Sequence, residues 1–321
     1  MINQFNWREA KSSDAAEIVA MIAAENRQDS RFSVPDEAHI KHTLERVLST
    51  PNGNVTVVLS ESGTMIGMSL VMFVPDGEKM QGHSIGHVHI DYRGQGLGTQ
   101  LLDWLSECAK KIKPVGEENS PIQLLTSCRG FMEDRIALFE DQGFAPVRYA
   151  LKMRCDLTSS FLAHELPKNI RIKRWTEEQD DRMRRLFNLA FKENWGVGEV
   201  DPDEWRKRFI STPHFAADLT YLAYFDDTLV GFCLTEHHAE RNTQTNLNEA
   251  WMEAIAVHPD WRGGGIASGM MTHAMEKYRE VGFTHAGLDV DADNITNALS
   301  LYKKLGFVEV SREIIYGKNV G

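Results

Sequence analysis

The chain has 321 residues, 42% of them hydrophobic, with 35 Lys and Arg against 46 Asp and Glu, a net charge of −11. That length suits two globular domains with ordinary cores and excludes low-complexity or fibrous classes. Residues before 160 carry 16 basic and 21 acidic side chains (−5) and the remainder 19 and 25 (−6), so neither half offers the basic face a nucleic acid needs.

No apolar run approaches membrane-spanning length, and the start, Met1-Ile-Asn-Gln-Phe-Asn-Trp-Arg-Glu, lacks a secretory pattern. A cytoplasmic protein without a membrane partner, monomer or homodimer, is expected. Cys108, Cys128, Cys155 and Cys233 are scattered without ligand spacing, which predicts reduced thiols and no metal site.

In chain order, Phe5 to Ala10 reads as a strand, and Ser12-Ser13-Asp14 as the cap of a helix to about Ala24. Ile40, Leu44, Val47 and Leu48 form one stripe of a second helix after Pro35. Asn54–Leu59 and Thr64–Val74 read as antiparallel strands about Glu61-Ser62-Gly63, and 75–81 as a polar loop. Ile85 to Ile90 is the next strand, followed by the loop Arg93-Gly-Gln-Gly-Leu-Gly98 and a helix to about Lys111. Ile122–Thr126 is a strand, and Arg135–Gln142 a helix stopped by Gly143.

The second half repeats this order. Ile170–Trp175 is a strand, Thr176 opens a helix with a Thr-x-x-Gln capping box, and Asp201-Pro202 opens another through Ile210. Leu219–Phe225 and Leu229–Thr235 pair about Asp226-Asp227. Ala254–Val257 then ends at Pro259, followed by Arg262-Gly-Gly-Gly265 and a helix from Ile266 to Tyr278. Strand, glycine turn and helix form an anion site, because glycine admits close approach and the free N–H groups of the first helical turn point at the ligand. Leu288–Asn294 runs from a strand into a polar loop, and Thr296–Leu305 is a helix ending in Tyr302-Lys-Lys-Leu-Gly-Phe307. The offset between halves is 169 at Arg93 and Arg262, and 163 at Gly143 and Gly306, the mark of an internal repeat.

The loop fails the dinucleotide and P-loop spacings. Arg262-x-x-Gly265-x-Ala267, followed by Asn294, Tyr302 and Gly306-Phe307, resembles the acetyl-CoA loop and closing helix of the GNAT superfamily of N-acetyltransferases. The resemblance covers nearly the whole chain. It implies an α/β fold: two GNAT-like domains in tandem, 1–157 and 168–321, each a mixed, mostly antiparallel sheet with a splayed strand and flanking helices. Acetyl-CoA is the implied cosubstrate. Ile255, Ala256 and Val257 would face its pantetheine arm, and the backbone of Arg262, Gly263, Gly264, Gly265, Ile266, Ala267 and Ser268 its diphosphate, with Asn294 and Tyr302 closing the site.

By the same resemblance Tyr302 is the acid that protonates the departing thiolate. Glu253 is the candidate base, with a water chain as the alternative; Glu249, four residues away, lies on the same face of a regular strand. His258 at the loop mouth is more simply structural. In the first half Phe139 stands for Tyr302, Phe131 for Asn294 and Ser84 for Glu253, so catalysis is expected in the second half. His83, His87 and His89 alternate on a strand without a completing ligand, which reads as a polar face.

Acids and aromatics between Phe191 and Trp205 (Trp195, Glu199, Asp201) suit a cationic acceptor, although helix N-terminal acids explain them equally well. Tandem proteins of this type include ones that resemble mycothiol synthase, and others that protect a producer from its own amine-bearing peptide antibiotic, such as zwittermicin or paenilamicin. The expected acceptor is a primary amine of a small cationic or peptidic metabolite. A protein-lysine acetyltransferase and a non-catalytic acyl-CoA sensor are the alternatives, since the fold does not identify the acceptor.

Overall fold

The computed structural model describes residues 5–26, 37–76, 79–112, 122–194, 198–292 and 298–320. The chain forms two compact units, one of residues 1–149 with 313–321 and one of 150–312. The elements in chain order are β1 (Asn6–Glu9), α1 (Ala15–Asn26), α2 (Glu37–Ser49), β2 (Gly53–Leu59), β3 (Met65–Asp76), β4 (Lys79–Val88), α3 (Leu97–Ala109), β5 (Ile122–Arg129), α4 (Glu133–Asp141) and β6 (Ala145–Asp156). The second series is β7 (Ile170–Arg174), α5 (Asp180–Phe191), α6 (Pro202–Trp205), β8 (Tyr221–Phe225), β9 (Thr228–Glu236), α7 (Ala239–Thr245), β10 (Glu249–Val257), α8 (Ile266–Glu280), β11 (His285–Asp291), α9 (Ala298–Lys304) and β12 (Val308–Val320).

In the N-terminal unit the strand order is β1-β2-β3-β4-β5, completed by Glu313–Val320 of β12 antiparallel to β5. In the C-terminal unit it is β7-β8-β9-β10-β11, completed by 150–156 of β6 antiparallel to β11. Each unit therefore takes its last strand from the far end of the other half. The expected division at 1–157 and 168–321 differs from the compact units by this exchange. Both closing strands, and α7, are additions to the expected order. Of the expected polar loop at 75–81, the described residues belong instead to β3 and β4, with Asp76 opposite Lys79.

Each sheet is mixed, with one parallel pair among antiparallel ones. β4 runs parallel to β5 only over 80–83, and β10 to β11 only over 249–251. Beyond those residues the neighbours part, which is the splay expected in each domain.

Both faces of each sheet are covered. In the C-terminal unit Met270, Ala274, Met275 and Tyr278 of α8 pack on one side with Leu305 and Phe307. Met183, Leu186 and Phe187 of α5 pack on the other with Trp205 and Phe209. Burying that area is the main term holding the layers together. In the N-terminal unit α3 and α4 cover one face and α1 and α2 the other. Asp201 caps α6 as expected, accepting from Asp203 and Glu204 N–H, with Pro202 in the first turn. Thr176 makes no side-chain cap bond, so that capping box does not form.

All four cysteines are free and buried. Among the described residues no helix is long and apolar enough to cross a membrane, and no metal-holding group of His, Cys, Asp and Glu occurs.

Candidate functional site

The site of the C-terminal unit starts at an irregularity in β10. Met252 lies opposite Thr235 and Ala254 opposite Leu234, so Glu253 is an extra residue, a β-bulge. Bulges re-aim a side chain and are enriched beside active sites. The matching β3–β4 pairing of the N-terminal unit runs without a shift through Ser84, whose hydroxyl donates to the Leu125 carbonyl at 2.8 Å.

Past β10 the chain turns on His258, whose Nδ1 accepts from Asp260 N–H at 3.3 Å. This histidine is a cap. Gly263 and Gly265 take φ of 77° and 84°, the left-handed region where a Cβ would clash with the following carbonyl. Gly265 is also the N-cap of α8 and supplies no side-chain bond, so the first-turn N–H groups are left for a ligand. Arg262 is committed to holding this loop, its guanidinium donating to the Val257 carbonyl at 3.3 Å and the Ala190 carbonyl at 2.7 Å. Ser268 Oγ donates to the Gly265 carbonyl at 3.0 Å.

A cavity of about 360 Å³ lies between the loop, the splayed end of β10 and α9. Of the predicted residues, Ile255, Ala256, Val257, Arg262, Gly263, Gly265, Ile266, Ala267, Ser268 and Tyr302 line it. Gly264 does not. Asn294 and Trp195 lie outside the described residues. Ala190, Phe191, Asn194, Trp261, Ala298 and Leu301 complete the wall; Phe191 and Asn194 fall in the 191–205 stretch expected to meet the acceptor, whereas Ala190, within α5, carried no sequence signal. Tyr302 is held by the tight end of α9, where Phe307 N–H bonds back to the Tyr302 carbonyl and Gly306 has φ of 90°. Burial first, then the nearby Cys233, pushes the Tyr302 phenol well above its ordinary value, so it stays protonated.

Glu253 opens to solvent, yet its carboxyl is pushed up to about 7. Desolvation by the protein packed around it is the larger cause, and the neighbouring negative charge of Glu236 adds to it. Surface exposure and desolvation point in different directions here. Glu253 is not among the residues that line the cavity; it precedes Ile255 on the same strand, two residues before the lining begins.

Glu236 is a residue the sequence reading missed. It lies opposite Trp251 across β9 and β10, is buried, and has His238 Nε2 2.8 Å from a carboxylate oxygen. The His238 ring packs on His214 at 4.3 Å between centroids. The run Glu236-His-His238 at a strand end was the available signal.

The remaining candidates are not brought to this site. Glu249 is buried, with Arg154 Nε at 2.6 Å and an Arg241 guanidinium nitrogen at 3.4 Å. It anchors β10, and the bulge breaks the alternation that would place it on one face with Glu253. Asp201 is a helix cap and Glu199 is exposed. In the N-terminal unit Gly94 and Gly96 keep the left-handed conformation (72° and 78°). Phe139, in the place of Tyr302, is buried against Phe144 and Tyr316.

Comparison with known proteins agrees with this geometry. Residues 180–307 match the family described as "Acetyltransferase (GNAT) family", and 51–146 match "Acetyltransferase (GNAT) domain". The chain is similar to mycothiol acetyltransferases of Nocardiopsis dassonvillei (26% identity, covering 86% of each chain) and Frankia casuarinae (24%, covering 98% of each). Among solved structures it resembles a GCN5-related N-acetyltransferase from Sphaerobacter thermophilus, with a TM-score of 0.72 at 23% identity over 100% of this chain and 97% of that one. It also resembles a tandem GNAT protein from the clavulanic acid biosynthesis pathway, with a TM-score of 0.69 at 15% identity over 99% of each.

Proposed function

The chain is a tandem acetyltransferase of the GNAT superfamily, and from that premise we propose that its C-terminal unit transfers acetyl from acetyl-CoA to a primary amine of a small cationic or peptidic metabolite. The observation that carries this reading is the cavity at the splay of β10. It joins an uncapped helix start and two left-handed glycines at one end to Tyr302 on its wall.

These residues fit acetyl-CoA. The N–H groups of the loop and of the first turn of α8 suit a diphosphate, and Ile255 to Val257 offer the unpaired strand edge to the pantetheine amides. Acetyl-CoA supplies an activated acetyl group as a thioester. Glu253, with its carboxyl near neutrality, takes the proton that the attacking amine loses as the carbon–nitrogen bond forms. Tyr302 gives a proton to the sulfur as the carbon–sulfur bond breaks.

Glu253 and Glu236 add negative charge beside the site, which favours a cationic acceptor. The N-terminal unit, with Phe139 and Ser84 in place of the acid and base, performs no transfer. The curated relatives favour a mycothiol-type acceptor as a second reading. The test is thiol release from acetyl-CoA with a panel of polyamines, aminoglycosides, amine-bearing peptides and mycothiol-type amines, with the acetylated product identified by mass. Acetyl-CoA binding without turnover on any amine would support a sensor and sink the proposal. Transfer confined to lysine side chains of proteins would replace it.

A further inference from the structure

The N-terminal unit holds a second cavity, of about 490 Å³, between α1, α2 and the parted ends of β4 and β5. Its position differs from that of the first. The glycine loop 93–98 does not line it, whereas the corresponding loop of the C-terminal unit lines the other cavity. The floor is apolar: Ile18 and Ile22 from α1, Ile40 and Leu44 from α2, Met68 and Leu70 from β3.

The polar wall is basic. Arg46, Arg129 and Arg135 face Glu25 and Glu313, three guanidinium groups against two carboxylates. The two carboxylates are already engaged. Glu25, buried, accepts from Arg93 at 2.5 Å and Arg135 at 2.6 Å on one oxygen and from His87 Nδ1 at 2.6 Å on the other. Burial raises the Glu25 pKa, but these three donors outweigh it and hold the group below its ordinary value. Glu313 accepts from Ser127 Oγ at 2.5 Å and forms an ion pair with Arg129 at 3.7 Å. Among the described residues no carboxylate lies within ion-pair distance of Arg46.

The side chains that line the cavity thus carry one positive charge in excess, at Arg46, beside an apolar floor; Arg93, outside the lining, adds a further guanidinium to Glu25. A ligand with a single carboxylate matches that excess, its head pairing with the guanidinium at the exposed rim. The arginine forks match a planar carboxylate, and the volume and lining are those of a small-molecule pocket. We propose that this cavity binds a small molecule bearing one carboxylate on an apolar body, the head held by Arg46 and Arg129 and the body lying on α1, α2 and β3. The inference stands apart from the transfer reaction, since none of its residues belongs to the C-terminal unit.

The test is calorimetric titration of the full chain with octanoate, with octylamine and inorganic phosphate as comparators. Saturable one-to-one binding of octanoate alone is expected, undiminished when acetyl-CoA is present. Arg46→Gln, on the exposed side of α2, and Arg129→Gln should each weaken it about tenfold, the loss of one charge-assisted contact. Thr43→Glu, which places a carboxylate at the cavity wall, should abolish it. Octanoate heat that fails to saturate at millimolar concentration would overturn the proposal. So would equal binding of octylamine, displacement by acetyl-CoA, or undiminished binding by Arg46→Gln and Thr43→Glu proteins of unchanged circular dichroism.

Discussion

The carboxyl of Glu253 sets a pH dependence that follows from its surroundings. With its pKa raised to about 7, only about a tenth of the enzyme carries an ionised base at pH 6 and about nine tenths at pH 8. kcat/KM should therefore climb with slope one below neutrality and level above pH 8. Glu253→Gln should lower the plateau by about 10² to 10⁴ and remove the limb near 7. Glu236→Gln is the sharper perturbation. It removes the negative neighbour that raises Glu253 and leaves desolvation, the larger cause, in place. The limb should then move to lower pH by up to about one unit with the plateau nearly kept. The assay is initial-rate thiol release at saturating acetyl-CoA and limiting amine from pH 5.5 to 9, with an amine whose own pKa lies outside that range. A flat profile, or a Glu253→Gln plateau within threefold of the parent, would refute the assignment of this carboxylate as the base.

Tyr302→Phe removes the phenolic proton and keeps the ring packed against Phe307. kcat should fall by about 10² or more while acetyl-CoA affinity and Tm stay close to the parent's, read by steady-state kinetics, calorimetry and thermal melting. Gly265→Ala has room for its methyl, whose nearest neighbour would be Ser268 Oγ at 4.0 Å, so the cost is the left-handed backbone, about 1–2 kcal/mol. Acetyl-CoA binding should weaken about 5- to 30-fold by calorimetry if the loop relaxes to relieve that strain. Glu249→Ala leaves Arg154 and Arg241 facing each other without their shared carboxylate. It should cost about 3–5 kcal/mol in chemical denaturation without shifting the Glu253 pH limb in the protein that remains folded.

The repeat and the loop were legible because each rests on local chemistry, and the splay followed only from the family resemblance that the loop carries. Only glycine readily takes the conformation found at Gly263 and Gly265, and Met270, Ala274 and Met275, at helical spacing in the sequence, are the stripe that α8 buries. What stayed hidden depended on partners distant in the chain. In β6, Leu151, Met153 and Cys155 are buried at every second position, but nothing local says that their neighbour is β11, more than 130 residues on. The bulge is equally silent. An extra residue leaves no periodic trace in one strand, since it exists only relative to the register of the other. Hence Glu249 and Glu253 read as equivalent although one is an anchor and the other opens to solvent. Glu236 joins Glu253 through that same register.

The divergence of the two halves follows from one position in the first helix. Ala190 and Glu25 are both the eleventh residue of twelve-residue helices. At Ala190 the loop arginine, Arg262, has only a main-chain carbonyl to bind. At Glu25 the equivalent Arg93 meets a carboxylate that is buried and must be compensated. His87 and Arg135 supply the rest of that compensation. Ala256, in the place of His87, is instead packed among the apolar residues beneath α5. A single acidic side chain thus commits the strand end, the loop arginine and α4 of the N-terminal unit to one ion cluster. In the C-terminal unit no such cluster forms at the matching positions, since Arg262 binds main-chain carbonyls and Ala256 packs in the core. Matching loops therefore do not make matching sites, because the helix behind each loop fixes what charge its surroundings carry.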